Sequence, residues 1–249
     1  MAQGSVAVWL SIARLAGKEQ ATVAVEHAVS ACAQAVGAGA ALSMSLASGV
    51  AEPVYATDAR SDGLEELQVT LGQGPCLDAL TGNGPVLAGD LTAAQALARW
   101  PQFAPAALHG GAAAIFAVPV QSGAARVGVL SLYRDRAGQL TPAELSLTLL
   151  YADAILMLAL DERGGLAPGA VELVGRGFTG RRAEIHQASG MISVQLQVSI
   201  TEALVALRAR AFAESRPIAD VAADVVDRRL SFAPRGVTIP RQMPRKPHR

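Results

Sequence analysis

A glycine-rich stretch divides this chain into two parts of different character. Residues 163–182 contain six glycines and Pro168, a composition that interrupts regular structure and commonly separates domains. Before this stretch the apolar spacing changes between the periods of helices and strands, whereas after it only the helical period remains. At 249 residues the chain has room for two domains, since a domain usually takes about 100 to 200 residues.

Composition indicates a globular protein. Hydrophobic residues make up 51% of the chain and charged residues 17%, which excludes disordered, collagen-like and coiled-coil classes. The longest apolar stretch, residues 145–160, is short for a membrane span and contains Asp153, so it predicts a buried or dimer-facing helix. The N-terminus lacks the basic region of a secretory signal, and two cysteines are too few for a disulfide framework. We expect a cytoplasmic protein that does not bind a membrane.

The first part combines helical and strand patterns. Helices that flank an antiparallel sheet make an α+β domain, and the local signals for both are present. The predicted elements are a helix over 22–36 that ends at Gly37, a strand over 41–46, a hairpin of 114–120 and 126–133 turning at Ser122 and Gly123, and a helix from Pro142 to about Glu162.

A series of short motifs precedes the hairpin. Residues 71–80 read LGQGPCLDAL, and PVL at 85–87, GDL at 89–91 and RWPQF at 99–103 follow in that order. The series resembles the GAF domain of actinobacterial regulators, and the resemblance covers residues 18–163. It implies a small sensory fold whose antiparallel sheet, flanking helices and covering loops can enclose a small molecule.

Seven apolar residues are candidates to line such a pocket, but we favour ordinary core packing, because a helix-on-sheet domain needs such residues with or without a ligand. They are Leu42, Met44, Cys76, Trp100, Phe116, Val118 and Val129. We place Cys76 in a loop and expect an inert thiol, because nothing basic adjoins it in sequence to lower its pKa. The sequence has no cofactor-attachment pattern, no phosphate-binding glycine loop and no metal-spaced His/Cys cluster. We therefore expect no cofactor, no metal and no catalytic activity.

The second part predicts a bundle of three short helices. The first carries Ile185, Ala188, Ile192 and Leu196 on one stripe. The second begins at a capping box of Ser199 and Glu202, and the third follows Pro217. Their predicted inner stripes are Ala203, Leu204, Leu207 and Ala211 in the second helix, and Ile218, Val221, Ala222 and Val225 in the third. The strings IHQASGMIS at 185–193, VSITEAL at 198–204 and RPIADVA at 216–222 resemble the ANTAR domain in unbroken order.

The ANTAR resemblance implies RNA binding by a homodimer. It implies that the dimer recognises two adjacent stem-loops with hexanucleotide loops in nascent mRNA, and so controls transcription termination or translation. Many ANTAR domains have a lysine where this chain has Ser189, so a phosphate contact there is lost or comes from elsewhere.

One stripe of the second helix suits RNA independently of the family. Thr201, Val205, Arg208 and Phe212 share a face, and unpaired bases stack on rings and guanidinium planes while arginine pairs with phosphates. Alternatively, Phe212 closes the bundle core and Arg208 is only solvated. Weaker candidates for RNA contacts are Arg210, Arg216 and His186.

Charge is distributed unevenly along the chain. Residues 181–249 contain twelve Lys or Arg against six Asp or Glu, and residues 1–180 contain nine against fifteen. The balances of plus six and minus six indicate that the C-terminal part meets a polyanion. Residues 235–249 have five basic residues and three prolines, and predict a flexible tail that either binds nucleic acid or only aids solubility.

The predicted organisation has five parts. The parts are an N-terminal helix over 1–17, a GAF-like domain over 18–163, a linker over 164–182, an ANTAR-like domain over 183–234 and a basic tail over 235–249.

Two other functions remain open. Three short helices with arginines also suit a DNA-binding regulator. Some GAF-like proteins reduce free methionine sulfoxide with several cysteines, whereas this chain has only Cys32 and Cys76.

Overall fold

The computed structural model describes residues 2–45, 51–82, 84–123, 125–164, 179–214 and 216–232. An α+β domain precedes three further helices. In chain order the elements are α1 (Ala2–Glu19), α2 (Val25–Val36), β1 (Gly39–Ser45), β2 (Ala51–Ala56), α3 (Ala59–Leu71), α4 (Pro75–Thr81), β3 (Val86–Ala88), α5 (Ala94–Arg99), α6 (Phe103–His109), β4 (Ala114–Ser122), β5 (Ala125–Arg134), α7 (Pro142–Gly164), α8 (Thr179–Leu196), α9 (Ile200–Ala213) and α10 (Ile218–Val226).

Within the described ranges the sheet has five antiparallel strands in the order β2-β1-β5-β4-β3. Its centre is the predicted hairpin, in which Ala114 pairs with Arg134 and Ser122 with Ala125. Gly123 takes a φ of 58° in the turn, a left-handed conformation that glycine adopts without the steric cost of a Cβ atom. The hairpin prediction is therefore correct in its strands and in its turn.

The two faces of the sheet support separate cores. Along β4, Ala114, Phe116, Val118 and Val120 pack towards α1, α2 and α7, whereas Ile115 packs with residues of α3, α5 and α6. Alternation of side chains along a strand produces this division.

Helix α7 contains the longest apolar segment among the described helices. Its segment Pro142–Leu160 has a mean hydropathy of 1.7 and is long and apolar enough, by length and composition, to cross a membrane. Of this segment, 33% is buried within the fold. The expectation that this stretch is too short for a span therefore does not hold on length. In the fold, α7 packs against α1, α2 and β4 as a core helix of the domain.

Several elements gave no clear signal in the sequence. Strand β2 contains Pro53 and β3 has only three residues, so neither shows a strand pattern of useful length. Pro75 opens α4, as proline often does at a first helical turn. Cys76 therefore lies in a helix, and its predicted placement in a loop is wrong.

Helices α8, α9 and α10 pack around an apolar core of their own. The predicted inner stripes supply it, with Ile192, Leu207 and Val225 fully buried. The capping box is present, because Ser199 Oγ accepts from the Glu202 N–H at 3.2 Å and the Glu202 carboxylate accepts from the Ser199 N–H at 2.9 Å.

The bundle also begins earlier than predicted and touches the first domain. Helix α8 starts at Thr179, inside the predicted linker, while residues 165–178 and the basic tail lie outside the described residues. Helix α9 contacts α3, so the two parts of the chain meet through a pair of helices.

Candidate functional site

A buried carboxylate links α3 to the centre of the sheet. Glu65 is 1% exposed. Its Oε1 accepts from Ser43 Oγ at 2.5 Å and from Ser131 Oγ at 3.4 Å, and its Oε2 accepts from Gln68 Nε2 at 3.0 Å and from the Tyr133 hydroxyl. We call these five residues the Glu65 cluster. Because four donors surround one buried carboxyl group, the cluster fixes α3 on the sheet.

The cluster extends to α4 through Cys76. The Cys76 N–H donates to Gln68 Oε1 at 2.8 Å, so the side chain of Gln68 joins the start of α4 to α3. Burial, followed by the nearby Glu65 carboxylate, raises the pKa of the Cys76 thiol well above its usual range. The same two causes raise the pKa of Tyr133. Both groups therefore stay protonated at neutral pH and act as hydrogen-bonding groups.

The two cysteines lie on opposite faces of the sheet. Cys32 packs in the core beneath α1, α2 and α7, and Cys76 packs with Ala117 and Val129 on the other face. Burial raises the pKa of Cys32 to about 12. A pair of buried thiols separated by the sheet disfavours the dithiol chemistry of a sulfoxide reductase.

A groove of about 560 Å³ lies between β3 and α5. At one end Asp78 Oδ2 accepts from Arg99 Nε at 2.7 Å and from Trp100 Nε1 at 3.0 Å, and the guanidinium lies 5.0 Å from the centroid of the indole ring. Gln139 also lines the groove, and it packs so closely on Gly89 that a Cβ there would meet Gln139 Nε2 at 2.5 Å. A groove of this volume with a few polar groups and an indole ring suits a small molecule.

The seven predicted pocket residues do not share one cavity. Leu42, Met44, Phe116 and Val118 belong to the core beneath α1, α2 and α7. Cys76, Val129 and Trp100 are on the other face, and among the seven only Trp100 lines the groove. Strand alternation places the neighbouring residues on opposite faces, so the alternative of core packing describes the first four.

Helix α9 presents an exposed apolar face. Val205 is 57% exposed and Phe212 is 52% exposed, and they share a side of the helix with Arg208. The alternative in which Phe212 closes the bundle core is excluded by this exposure, because Leu207 and Ala211 fill that place. A ring and an aliphatic side chain are thus open to a ligand on the predicted stripe.

Arg208 differs from the other arginines of α9 and its surroundings. Its Nε atom is buried without a hydrogen-bond partner, and burial lowers the pKa of its guanidinium. Within the described chain Arg208 forms no ion pair. The simple alternative of a fully solvated side chain is therefore wrong, and its charge is not compensated by a described carboxylate.

Arg210 and Arg216 are engaged within the bundle. Arg210 pairs with Glu214 one turn later. Arg216 Nη2 lies 2.6 Å from Asp224 Oδ2, and its Nη1 lies 3.1 Å from Glu214 Oε2. A phosphate would have to displace these carboxylates, which makes both arginines weaker candidates for an anion contact than Arg208.

Helix α8 carries two of the predicted RNA-contact residues, Ser189 and His186. Ser189 is 2% exposed, and its hydroxyl donates to the Ile185 carbonyl at 2.8 Å. Ser189 is therefore removed from the predicted binding surface, because its one polar group is buried and bonded within α8. His186 lies on the same helix, and its side chain is outside the described residues. In the described ranges no group of three His, Cys, Asp or Glu side chains could hold a metal ion.

Comparison with known proteins identifies the first domain. A family model described as the GAF domain matches residues 19–159, which is more than half of the chain. The chain belongs to the GAF domain family. The predicted GAF resemblance is thereby confirmed. No curated protein sequence matches the chain significantly.

A solved GAF structure has the same fold at low identity, and a second solved domain is similar to a lesser degree. The GAF domain of a phosphoenolpyruvate-protein phosphotransferase from Coxiella burnetii is 12% identical with a TM-score of 0.50, covering 65% of this chain and 99% of that chain. A domain from a two-component sensor histidine kinase protein of Sinorhizobium meliloti is 19% identical with a TM-score of 0.45, covering 55% and 89%. At such identities the likeness concerns the GAF fold alone.

The residues of the GAF domain that sequence reasoning missed are polar and separated in the chain. Ser43 and Ser131 alternate with apolar residues on β1 and β5, which marks them as facing the other side of the sheet. Nothing local indicates that this side is also covered, or that Glu65 lies over it. The strand pattern alone could have indicated a polar strip formed by Ser43 and Ser131. Only the tertiary fold shows that Glu65 accepts their hydrogen bonds.

Proposed function

We propose that this protein is a signal-responsive RNA-binding regulator. In this proposal its C-terminal helices form an ANTAR-like domain that binds paired hexaloop stem-loops in nascent mRNA. Binding controls transcription termination or translation of the target genes, and the GAF domain receives the signal. The protein acts by binding rather than as an enzyme, and the cytoplasm is the compartment where such transcripts are found.

The observation that carries this proposal is the exposed face of α9. An aromatic ring, a valine and an arginine without an ion-pair partner lie on one stripe, formed by Val205, Arg208 and Phe212. Bases in RNA loops are unstacked, so their faces can pack on a ring while the adjacent phosphates pair with a guanidinium. The stripe offers both interactions over little more than two turns of helix.

Charge supports a polyanionic partner. The balance of plus six over residues 181–249 is the electrostatic footprint expected of a nucleic-acid-binding region. The ion pairs of Arg210, Arg216 and Arg229 compensate part of that charge within the bundle. The remaining basic residues of this region are Arg181, Arg182, Arg208, Arg228 and the five of the C-terminal segment.

A homodimer suits a target with two loops. Large apolar side chains are exposed on α1, where Val6 and Leu10 are 59% and 61% exposed, and on α7, where Met157 is 61% exposed. These two helices contact each other, so their outer sides can form one surface. We propose that a second copy of the chain covers it.

The GAF domain is proposed to pass its signal through α3. One side of α3 carries Glu65 and Gln68 into the sheet, and α3 also contacts α9. A small molecule in the groove beside Asp78 and Trp100 would act on α4, whose start is bonded to Gln68. A continuous set of contacts thus runs from the groove to the helix that carries Arg208.

Competition between nucleic acids tests the proposal. The full-length protein is mixed with a labelled RNA bearing two adjacent hexaloop hairpins, and unlabelled competitors are added at about 100 mM salt. We expect twin-hairpin RNA to compete well, single-hairpin RNA to compete less, and duplex DNA of equal length to compete poorly. Stronger competition by a duplex DNA would instead support the DNA-binding alternative and overturn the RNA proposal.

A further inference from the structure

We propose that Arg228 is a second phosphate contact for the RNA, an assignment that rests on the proposed function. It is based on a backbone observation and on the pattern of ion pairs at the end of α10. Neither observation involves the α9 stripe.

The backbone of Arg228 has a conformation that favours glycine. Helix α10 ends at Val226, and Arg228 follows with a φ of 61°. Its N–H donates to the Val225 carbonyl at 3.0 Å, and the Leu230 N–H donates to the Asp224 carbonyl at 2.9 Å. This turn brings Leu230 back to the bundle core. Helices commonly end in such a left-handed residue, and it is usually glycine because a Cβ atom is disfavoured there.

The side chain of Arg228 makes no stabilising polar contact within the described part of the chain. It is exposed and makes no ion pair or side-chain hydrogen bond with any described residue. Its neighbour Arg229 pairs with Asp224 at 2.7 Å and with Asp227 at 2.7 Å. Two adjacent arginines therefore have different roles, since one is used within the bundle and the other is open to a ligand.

The left-handed conformation of Arg228 is held by its own N–H bond to the Val225 carbonyl and by the Leu230 N–H bond to the Asp224 carbonyl. The Arg228 side chain therefore leaves the backbone at a fixed position. Backbone strain that the surrounding structure maintains is often found at binding sites. An exposed guanidinium in such a position can form two parallel hydrogen bonds to a phosphate. The alternative is that Arg228 only stabilises the C-terminus of α10, where a positive charge is favourable.

Replacement by glycine separates the two roles. Arg228→Gly removes the guanidinium and relieves the backbone strain, so we expect a melting temperature equal to or above that of the parent protein. Affinity for twin-hairpin RNA should fall by about tenfold at about 100 mM salt, and the salt slope should decrease by about one. Arg229→Gln is the matched control, because it removes the same charge from a side chain that is paired within the bundle, and its affinity should fall less.

The outcomes distinguish this inference from the proposed function. If the parent full-length protein binds twin-hairpin RNA and Arg228→Gly binds it equally well, the assignment of Arg228 is overturned and the proposed function stands. A lower melting temperature in Arg228→Gly with unchanged affinity per folded molecule would also overturn it, in favour of a structural role. If the parent protein ignores the RNA or prefers duplex DNA, the proposed function fails and this assignment with it.

Discussion

At the scale of single residues, the bundle uses its arginines in two ways. Arg210 and Arg216 are held by carboxylates one to two turns away, so their charges mainly stabilise the bundle. Arg208 has a buried Nε without a partner, a costly state that a binding partner can relieve. Among the arginines of α9, Arg208 is therefore better placed for an anionic ligand than Arg210.

Arg208→Ala should weaken binding to twin-hairpin RNA by about 1 to 3 kcal/mol, as for loss of one charge-assisted contact. The unpartnered Nε is removed with the side chain, so the bundle should not be destabilised. Fluorescence anisotropy at about 100 mM salt measures the affinity. Arg210→Ala is the control with the same loss of charge, and an equal effect of both variants would contradict a specific role for Arg208.

Glu65→Ala should destabilise the GAF domain by about 3 kcal/mol, because each buried polar group left without a partner costs about 1 to 3 kcal/mol. The variant leaves Ser43, Gln68 and Tyr133 short of an acceptor. Both tryptophans, Trp9 and Trp100, precede the linker, so tryptophan fluorescence during urea unfolding follows this domain alone.

The exposed Gln34 on α2 provides the control for this experiment. Gln34→Ala should change the free energy of unfolding by no more than about 0.5 kcal/mol, as is usual for surface positions. If Glu65→Ala lost less than about 1 kcal/mol, the cluster would not be what fixes α3 on the sheet.

At the scale of elements, α7 is attached to the sheet through its first turn. Thr141 and Glu144 form reciprocal bonds, from the Thr141 N–H to Glu144 Oε2 at 2.7 Å and from the Glu144 N–H to Thr141 Oγ1 at 3.2 Å. Glu144 Oε1 also accepts from Arg134 Nη2 at 2.5 Å, and that same Nη2 donates to the Val36 carbonyl at 2.8 Å. The start of α7, the end of β5 and the end of α2 are thereby joined.

This junction makes stability depend on acid pH. The backbone N–H of Thr141, with Arg134 and the Thr141 hydroxyl, lowers the pKa of Glu144 from 4.5 to about 2. Because the folded pKa lies below the unfolded value, the ionised group stabilises the fold above pH 4.5, and this contribution is lost as the pH falls from 4.5 to about 2. Glu144→Gln should therefore lower the melting temperature at neutral pH and flatten its decrease in that window.

Thermal unfolding followed by circular dichroism across this pH range checks the prediction. Asp135→Asn changes the same charge on the loop before α7 and should leave the slope in place. An unchanged acid slope in Glu144→Gln would mean that other carboxyl groups dominate the acid response.

At the scale of the whole molecule, α1 and α7 expose large apolar side chains on the outside of the GAF domain. Leu10→Glu should convert a homodimer into a monomer, because it places a charge in an interface that excludes water. Leu10 is 61% exposed in the single chain, so the monomer should remain folded. Light scattering after size-exclusion chromatography measures the mass.

Leu97→Glu on α5 is the control, since Leu97 is also an exposed leucine, at 37%, on a different helix. It should leave the dimer intact. A parent protein that is monomeric at all concentrations tested would contradict the dimer proposal, whatever the variants do.

The sequence by itself determined the local elements of this protein. The β4–β5 hairpin, the capping box at Ser199 and the inner stripes of α8, α9 and α10 follow from residue spacing and turn chemistry within a few positions of each other. The GAF motifs between residues 71 and 103 are local in the same sense, and their order was sufficient to indicate the family.

Only the tertiary structure decided which side chains meet. Glu65 finds Ser43 and Tyr133 at separations of 22 and 68 residues, and the faces of the sheet divide the seven predicted pocket residues between separate cores. Folding likewise buried Ser189 and paired Arg216 with Asp224, while Arg208 and Arg228 were left without carboxylate partners. Burial and ion pairing depend on chain segments that are distant in sequence, so spacing along one segment does not specify them.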